Sequence, residues 1–389
     1  MQVWRVLCLS ESSYGFDLQT QHKAKDYLYS GLRASLCKGL VLIVLGFLVL
    51  GLRLPVALQN SIQTYVPEQS LTVILFALIG YIAFWLVSLP FDYYKGYVLE
   101  HRFELSTESS RGWFLDNVKA SGLSLLAVLV FVYGVYNFMW LNLTYWWVFT
   151  WLVSAFFIAV FMYVAPVLIM PLFYKFPRLR DEELLNSLTR LADKAGIKVI
   201  GVFEMKAGAR TKKATAALTG VGRTRRMLLS DTFLSKFTKE ETESVMGHEI
   251  GHHIYGHIWK LTALLAGAFL LMLFTASQTL QMGSGFFGIQ HIDSAVSLPL
   301  LALTLGLLFT CLTPLMNTLS RRAEGQCDQY ELDLVENPDA YMSAMTKLCD
   351  QNLRYAYPNS ITEFLFYDHP SGKKRIDRAQ AYKKAHNSN

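Results

Sequence analysis

Charged residues are scarce in this sequence of 389 residues. Asp, Glu, Lys and Arg together make up 17% of the chain, whereas apolar residues make up 52% and aromatic residues 14%. The length could accommodate two soluble domains, but soluble domains usually contain about 25% charged residues. The low charge therefore excludes an ordinary soluble protein and indicates a chain that crosses a membrane several times.

Nucleic-acid-binding modules and paired cysteines are also lacking. The net charge is +6, but the basic residues flank apolar stretches, which favours contact with lipid headgroups and predicts no nucleic-acid partner. The cysteines are odd in number and have no close paired spacing, so reduced thiols are expected rather than a disulfide framework. No secretory signal peptide is evident in the first ten residues. The cysteines are Cys8, Cys37, Cys311, Cys327 and Cys349.

Six apolar stretches reach roughly 20 residues, the length that crosses a bilayer, and predict six membrane spans. When the sides of the membrane alternate from span to span, every Lys and Arg except Arg53 lies on the side of the N-terminus. The positive-inside rule makes that side the cytosol. The predicted spans are 39–58, 71–90, 121–140, 144–173, 261–282 and 298–319.

The sequence HEIGH at residues 248–252 carries groups suited to metal chemistry. Residues four apart share one face of a helix, so His248 and His252 can offer two imidazole nitrogens to one zinc ion. Glu249 is then placed beside the water that the ion would activate. A capping box at residues 238–241 predicts that a helix begins shortly before the motif, which places the motif inside that helix.

A third protein ligand is needed, and residues 317–328 supply a carboxylate with a second acid one helical turn later. Glu324 is the predicted third ligand, and Asp328 is expected to orient a ligand histidine through its ring nitrogen. A third histidine would be expected ten residues after His248, but Ile258 is at that position, so a His-His-Glu set is favoured. The predicted cofactor is one Zn²⁺ ion per chain.

The predicted ligands lie close to the membrane. The span at 261–282 begins nine residues after His252, or about 14 Å along a continuous helix. Glu324 follows the span at 298–319 by five residues, or about 8 Å. Both ligand helices are therefore expected to extend from the membrane, which favours a membrane-attached substrate. The predicted fold class is a multi-pass α-helical membrane protein with a mainly α, small-β-sheet, zincin-like metalloprotease domain on the cytosolic face.

Two β-strands are predicted at 198–205 and 226–230, and residues 214–220 between them are typical of a weak edge strand. An edge strand beside the metal of a zinc protease can hold an extended peptide by backbone hydrogen bonds. An ordinary hairpin arm is the alternative. The candidate substrate-binding residues are Thr215, Ala216 and Ala217.

Two further histidines lie near the motif, and the C-terminal part adds two candidate site residues. His253 and His257 fall off the ligand face of the helix and are expected to be structural or solvated. His369 near the scissile carbonyl, or Arg375 anchored to a ligand helix, could stabilise the oxyanion. A surface position is the alternative for both. The parts of the chain are a cytosolic segment at 1–37, spans and a loop at 38–173, the catalytic domain at 174–260, two spans at 261–319 and a cytosolic remainder at 320–389.

These features together resemble the integral-membrane CAAX prenyl proteases, zinc metalloendopeptidases of the gluzincin type, from about His22 onward. The exit of the second span matches at LPFDYYK, residues 89–95, and VLE, residues 98–100. The zinc motif matches at HEIGH. The second signature and the C-terminal His-Pro element match at Asn317, Ser320, Arg321, Glu324, Asp328, His369, Pro370 and Arg375.

The resemblance implies a hollow ring of helices around a chamber, closed at one end by the metalloprotease domain. It implies removal of the last three residues from farnesylated or geranylgeranylated CAAX peptides. It also implies that His369 and Arg375 stabilise the transition state while Glu249 acts as general base. The sequence departs from the family pattern at residues 1–21, which are too polar for the family's usual seventh span, and at Thr215, where Asn is usual.

Two other functions are kept as alternatives. A membrane quality-control metalloprotease would share the zinc signatures, but four predicted spans before the zinc motif, rather than two, favour the prenyl-protease type. A non-proteolytic membrane scaffold is disfavoured by the complete ligand set. The expected partners are therefore a prenylated or membrane-attached protein substrate and the lipid bilayer, of the endoplasmic reticulum or a bacterial inner membrane. The oligomeric state is not predicted.

Overall fold

The computed structural model describes residues 14–387, so the predictions about Cys8 and the first ten residues lie outside the described part. The structure is mainly helical with one small sheet. Its helices, apart from short 3-10 and π turns and the segment Leu99–Arg102 that continues α3, are α1 (Leu18–Gly51), α2 (Leu54–Tyr65), α3 (Gln69–Tyr93), α4 (Ser110–Leu141), α5 (Trp146–Val164), α6 (Glu182–Lys194), α7 (Asp231–Leu234), α8 (Lys239–Ile254), α9 (His257–Gly283), α10 (Leu298–Val335), α11 (Pro338–Gln351), α12 (Ser360–Phe366) and α13 (Gly372–His386). Its strands are β1 (Val202–Met205), β2 (Ala216–Thr219) and β3 (Arg226–Ser230).

Within residues 14–387, five helices are long and apolar enough to cross a membrane: α1, α3 with its continuation to Arg102, α4, α9 and α10. A bent pair, Trp146–Met162 and Ala165–Leu172, adds a sixth if its two parts form one span. Pro166 explains the bend of 48°, because proline removes a helical hydrogen bond and its ring clashes with the preceding turn. The predicted multi-pass helical fold class is confirmed.

The first predicted span, 39–58, does not coincide with a single helix. Its C-terminal part crosses a break, because Arg53 adopts a left-handed conformation with φ 54° and Pro55 lies in the first turn of α2. Before the predicted span, α1 already begins at Leu18, where the side chain of Asp17 caps the helix. Residues 18–37 of the predicted N-terminal segment are therefore helical and continuous with α1.

Within residues 14–387, the five long helices and the bent pair form a ring. Each helix contacts the next in the order α1, α3, α4, α5, α9, α10 and back to α1. Lys38 of α1 pairs with Asp92 of α3 at 2.8 Å, and Gly46 of α1 lets Leu303 of α10 approach closely. In the five long helices, only 6% to 28% of the residues in the most apolar window are buried, as expected for helices that present apolar side chains to lipid.

A hydrophobic core joins the ring helices at one end of the ring. Tyr136 of α4, Trp146 of α5, Leu280 of α9 and Leu300 of α10 are all buried in it. The hydroxyl groups of Tyr136 and Ser297 are 2.8 Å apart and satisfy each other within this core. The packing fixes the relative positions of α9 and α10, the two membrane helices that lead to the metal motifs.

A separate core forms the soluble domain. Its sheet has the order β1-β3-β2, with β1 parallel to β3 and β2 antiparallel to it, so that β2 is an edge strand as predicted. Leu188 of α6, Met227 of β3, Ile250 of α8 and Tyr341 of α11 are buried in this core. The zinc-motif helix α8 is thus packed between the sheet and the C-terminal helices.

The prediction of a continuous helix from the zinc motif into the membrane is wrong. Helix α8 ends at Ile254, and α9 begins at His257 after Gly256, whose φ is 62°. A left-handed residue cannot continue a right-handed helix, so the chain turns here. Helix α10, in contrast, runs without a break from the membrane through Glu324, as expected.

Replacing Gly256 with alanine is expected to destabilise the protein by about 1–2 kcal/mol, because a left-handed backbone brings Cβ close to the following carbonyl oxygen. No atom lies within 4 Å of the added Cβ, so the backbone alone carries the cost. Thermal unfolding in detergent measures the difference. Gly267→Ala is the control, because Gly267 is helical and equally open, and alanine there should be neutral or stabilising. Equal destabilisation by both substitutions would contradict the prediction.

Candidate metal centre

Helices α8 and α10 approach each other closely because two glycines of α8 face α10. A Cβ at Gly247 would lie 2.9 Å from Val335, and one at Gly251 would lie 3.2 Å from the backbone of Cys327. The predicted capping box of α8 is present, with the Thr238 side chain accepting from a first-turn N–H. Close packing of the two helices brings the HEIGH motif against the carboxylates of α10.

The structure brings together the three predicted metal ligands. His248 Nε2 lies 3.1 Å from Glu324 Oε2, and His252 Nε2 lies 3.2 Å from Glu324 Oε1. The candidate ligand atoms all lie within 4.8 Å of one another. Glu324 is 4% exposed and His248 is 5% exposed, whereas the His252 side chain is 22% exposed. The three groups therefore converge at a largely buried point that is reached from the His252 side.

This donor set fits a zinc ion. With bonds of 2.0–2.2 Å and tetrahedral angles, two ligand atoms of one zinc ion should be about 3.3 Å apart, close to the two distances between Glu324 and the histidines. Glu324 Oε2 is buried and makes no hydrogen bond, although His248 is near it. A buried carboxylate oxygen without a donor is costly, and a cation would satisfy it. Two imidazoles and a carboxylate are also the donor types that zinc prefers.

Asp328 holds His248 from the other side of the ring. Its Oδ1 lies 3.0 Å from His248 Nδ1 and 2.5 Å from a guanidinium nitrogen of Arg375, and Arg378 pairs with Oδ2 at 2.8 Å. Burial and Arg375 both oppose protonation of His248, but the nearby carboxylates of Asp328 and Glu324 outweigh them and raise its pKa to about 9. The same negative charge favours a cation at this ring, whether a proton or a metal ion.

Arg375 lies behind His248 rather than in front of it. Its guanidinium is 3.2 Å from His248 Nδ1, whereas Glu324 faces Nε2 of the same ring, and its Nε donates to the Tyr341 hydroxyl at 3.1 Å. Burial opposes the charge, but Asp328 outweighs it and raises the pKa of Arg375 above its usual value. This position differs from the expected contact with the transition state, and it suits Arg375 to fixing Asp328 and His248.

Glu249 and His253 contact the edge strand β2 at one residue. The N–H of Leu218 donates to Glu249 Oε2 at 3.4 Å, and His253 Nε2 lies 3.0 Å from the Leu218 carbonyl oxygen. Burial lowers the pKa of His253, which favours a neutral ring whose Nε2–H donates to that carbonyl. His253 thus has the structural position expected from sequence, and Glu249 lies at the edge of the sheet beside the ligand cluster.

The three predicted substrate-binding residues differ in their backbone orientation. Thr215 exchanges hydrogen bonds with Ser230, donating to its Oγ at 2.9 Å and accepting from its N–H at 2.8 Å, so Thr215 faces β3. Because orientation alternates along an antiparallel strand, Ala217 also pairs with β3, whereas Ala216 directs its N–H and C=O to the outer edge. Of these three residues, only Ala216 offers its backbone to an added peptide strand.

Asn352, which the sequence did not single out, limits this outer edge. Its amide accepts from the Ala214 N–H at 2.8 Å and donates to the Ala214 carbonyl at 3.0 Å, as a neighbouring strand would. On the other side of Ala216, the backbone of Leu218 is contacted by α8. A single asparagine after a helix gives no sign of such a role, because the contact spans more than a hundred residues of sequence.

His369 approaches the site because the tail is anchored to α10. Asn317 donates to the Leu365 carbonyl at 2.9 Å, and Arg321 donates to a carbonyl of α12 at 2.9 Å. His369 Nε2 then lies 3.3 Å from Glu324 Oε1, with its side chain 31% exposed. The tail thus places a partly exposed imidazole beside the ligand cluster, rather than on a remote surface.

His257 is closer to the site than its spacing indicated. On a continuous helix, a residue five positions after His252 would be rotated about 140° away from it. The break at Gly256 reverses this, and His257 contacts His252 directly. His252, His257 and Cys327 form a second group of three possible metal ligands within residues 14–387. In the sequence, the glycine at position 256 was the signal that could have indicated the break, because glycine readily adopts a left-handed conformation.

A ring of membrane helices with a His-His-Glu cluster at one end defines the class of a multi-pass membrane metalloprotease. The family model for the CAAX prenyl protease N-terminal region, with five membrane helices, matches residues 11–175, a stretch that contains α1 to α5. The model for peptidase family M48 matches residues 178–383. The chain belongs to peptidase family M48, whose members are typically zinc-dependent.

Several proteins are similar over most of the chain. The uncharacterized metalloprotease YhfN of Bacillus subtilis is 29% identical over 331 residues, covering 83% of this chain and 76% of the relative. CAAX prenyl protease 1 of Saccharomyces cerevisiae is 26% identical over 318 residues, covering 75% and 68%. The CAAX prenyl protease 1 homolog of Homo sapiens is 24% identical over 369 residues, covering 82% and 75%.

The crystal structure of S. mikatae Ste24p has the same fold. It superimposes with a TM-score of 0.80 at 23% identity, covering 93% of this chain and 89% of that chain. The protein is therefore a multi-pass membrane metalloprotease of family M48, related to the CAAX prenyl proteases. Its family acts on membrane-associated substrates.

Removing Arg375 is expected to destabilise the protein more than removing Arg378. Arg375→Leu should cost about 3–5 kcal/mol of unfolding free energy, because Asp328 is fully buried and loses its buried partner. Arg378→Leu should cost less than about 1 kcal/mol, because that side chain is 36% exposed. Denaturant unfolding in detergent compares the two variants. An equal cost for both would show that the Asp328 charge is balanced in another way.

Proposed function

We propose that the protein is a zinc endopeptidase that removes the C-terminal tripeptide from prenylated CAAX proteins. The observation that carries the proposal is the meeting of Glu324, on a helix that leaves the membrane, with both imidazoles of the HEIGH motif. His248, His252 and Glu324 hold the ion. A bound zinc ion supplies a Lewis acid that makes water a nucleophile near neutral pH.

The remaining residues of the site have separate roles in peptide cleavage. Glu249 takes a proton from the attacking water and passes it to the leaving amine. His369, partly exposed beside Glu324, donates a hydrogen bond to the oxyanion that forms at the scissile carbonyl. Asp328 orients His248, and Arg375 acts through Asp328 rather than by touching the peptide.

The substrate binds as an extended segment beside β2. Ala216 offers one N–H and one C=O to it, and the contacts at Ala214 and Leu218 restrict pairing on either side. A short pairing segment suits a peptide that is cleaved near its end. Thr215 and Ala217 contribute through the position of the strand and not through their own backbone groups.

The membrane region supports a lipid-modified substrate. Both metal-binding helices adjoin the ring of membrane helices, whose apolar side chains can accommodate a prenyl chain while the peptide reaches the site. The relatives from yeast and human are named as CAAX prenyl protease 1 or its homolog. We further propose that the site faces the cytosol, because every Lys and Arg except Arg53 lies on that side of the predicted spans.

Glu249→Gln and Glu324→Ala are expected to separate catalysis from metal binding. Glu249→Gln removes the general base but no ligand, so zinc content should persist while cleavage falls by at least about 100-fold. Glu324→Ala removes a ligand, so zinc should be lost. Elemental analysis and a peptide-cleavage assay measure the two effects on the same preparations. Retained cleavage in Glu249→Gln, or unchanged zinc in Glu324→Ala, would refute the assigned roles.

A farnesylated CAAX peptide is expected to be cleaved, whereas its unprenylated twin is cleaved poorly, because the apolar ring binds only the lipid-modified form. A zinc chelator should abolish the activity, and added zinc should restore it. Mass spectrometry of the products locates the cleaved bond. An unfolded membrane protein is the comparison substrate. Preferential cleavage of that protein would favour a quality-control protease, and no hydrolysis of any substrate with zinc bound would favour a non-proteolytic scaffold.

A further inference from the structure

His252 contacts a second buried histidine through the ring nitrogen that does not face Glu324. His252 Nδ1 and His257 Nδ1 are 3.3 Å apart. His257 is 3% exposed, and its Nε2 lies 2.9 Å from Gln326 Oε1. These contacts depend on the left-handed turn at Gly256, which places His257 against His252 at the start of α9.

The hydrogen bonds that link His252, His257 and Gln326 have one consistent direction. The Gln326 carbonyl oxygen can only accept, so His257 Nε2 carries the proton. A neutral imidazole has a single N–H, so His257 Nδ1 accepts and His252 Nδ1 donates. His252 Nε2 is then left with a free lone pair directed at the ligand cluster, where it lies 3.2 Å from Glu324 Oε1. A histidine that binds a metal ion through Nε2 must carry its proton on Nδ1, as His252 does in this arrangement.

We propose that His257 and Gln326 are positioning residues that hold His252 in the tautomer and orientation for binding zinc through Nε2. The inference rests on the proposed function, in which His252 is a ligand. It assigns to His252 an outer partner equivalent to the one that Asp328 provides for His248. The two partners differ in charge, because His248 is held by a carboxylate and His252 by a neutral chain of an imidazole and an amide.

Outer hydrogen-bond partners of this kind matter because they fix the ring of the ligand. A metal-binding histidine generally donates its other N–H to a fixed acceptor, and loss of that acceptor weakens metal binding about 10- to 100-fold. His252 needs such support because its side chain is 22% exposed, whereas the His248 side chain is 7% exposed. Without His257, the His252 ring could rotate or shift its proton to Nε2.

A second metal ion is the rival occupant of the same place. Cys327 Sγ lies 3.4 Å from His257 Nδ1, and these two atoms with His252 could surround an ion. That arrangement requires His252 to lose its remaining proton and bind metal through both nitrogens. It also requires a thiolate at Cys327, which is fully buried, and burial in apolar surroundings disfavours the thiolate. One zinc ion per chain is therefore expected.

The test compares zinc affinity, by chelator competition, among variants of the full-length protein in detergent. His257→Leu should bind zinc about 10- to 100-fold more weakly. His257→Asn should recover most of the affinity, because its Oδ1 can accept where Nδ1 accepted. Gln326→Glu should keep wild-type affinity, because a carboxylate also accepts, whereas Gln326→Leu should lose affinity. Cys327→Ala, which removes only the thiol, is the matched control and should keep one zinc ion.

Three results would overturn the inference. The first is wild-type affinity in both His257→Leu and His257→Asn. The second is a loss of zinc affinity in Gln326→Glu as large as in Gln326→Leu. This result would mean that the hydrogen bonds from His252 to Gln326 have the opposite direction. The third is two zinc ions in the wild type, one of which disappears in Cys327→Ala.

The controls separate this inference from the proposed function. If His257→Leu does not fold, the Gln326 pair and His257→Asn decide the question, because Gln326→Glu and Gln326→Leu keep a side chain of similar size and His257→Asn keeps an acceptor at the position of Nδ1. A wild-type protein that binds no zinc, or a Glu324→Ala variant with full affinity, would refute the proposed zinc site itself. If Glu324→Ala loses zinc as expected but the His257 and Gln326 variants keep wild-type zinc affinity, only the positioning role is refuted.

Discussion

The close approach of one buried carboxylate to two imidazoles is the constraint on which the rest of the structure depends. Glu324 lies 3.1 and 3.2 Å from His248 and His252, and one of its oxygens makes no hydrogen bond. A buried carboxylate beside two imidazoles is stable only when protons or a cation lie between the three side chains. The small residues of α8, the unbroken α10 and the clamp around Asp328 all serve to hold these three side chains together.

The membrane region and the soluble domain are coupled through the same two helices. Helix α10 is continuous between the ring and the carboxylate, whereas α8 and α9 are separated by the left-handed Gly256. The carboxylate is therefore rigidly connected to the membrane, and the histidines belong to the soluble domain. A metal ion bound between them would link the two parts, which suits an enzyme whose substrate is held in the membrane.

Within residues 14–387, the first and last membrane helices meet. The helices α1 and α10 contact each other directly, which completes the ring of neighbouring helices. The extra length of α1, which begins at Leu18, extends this wall beyond the apolar stretch that the sequence indicated. Polar residues such as Lys38 and Asp92 pair between neighbouring helices at its edge, where a charge would otherwise be unfavourable.

The sequence by itself determined the local features: the apolar spans, the capped zinc helix, the edge strand and the ligand residue types, because each follows from the periodicity or chemistry of neighbouring residues. Only the tertiary structure decided which atoms meet. It placed Arg375 behind His248, restricted the open backbone of β2 to Ala216, and returned His257 to His252 across the turn at Gly256. These contacts depend on backbone reversals and on packing between distant segments, which residue spacing along one helix or strand does not encode.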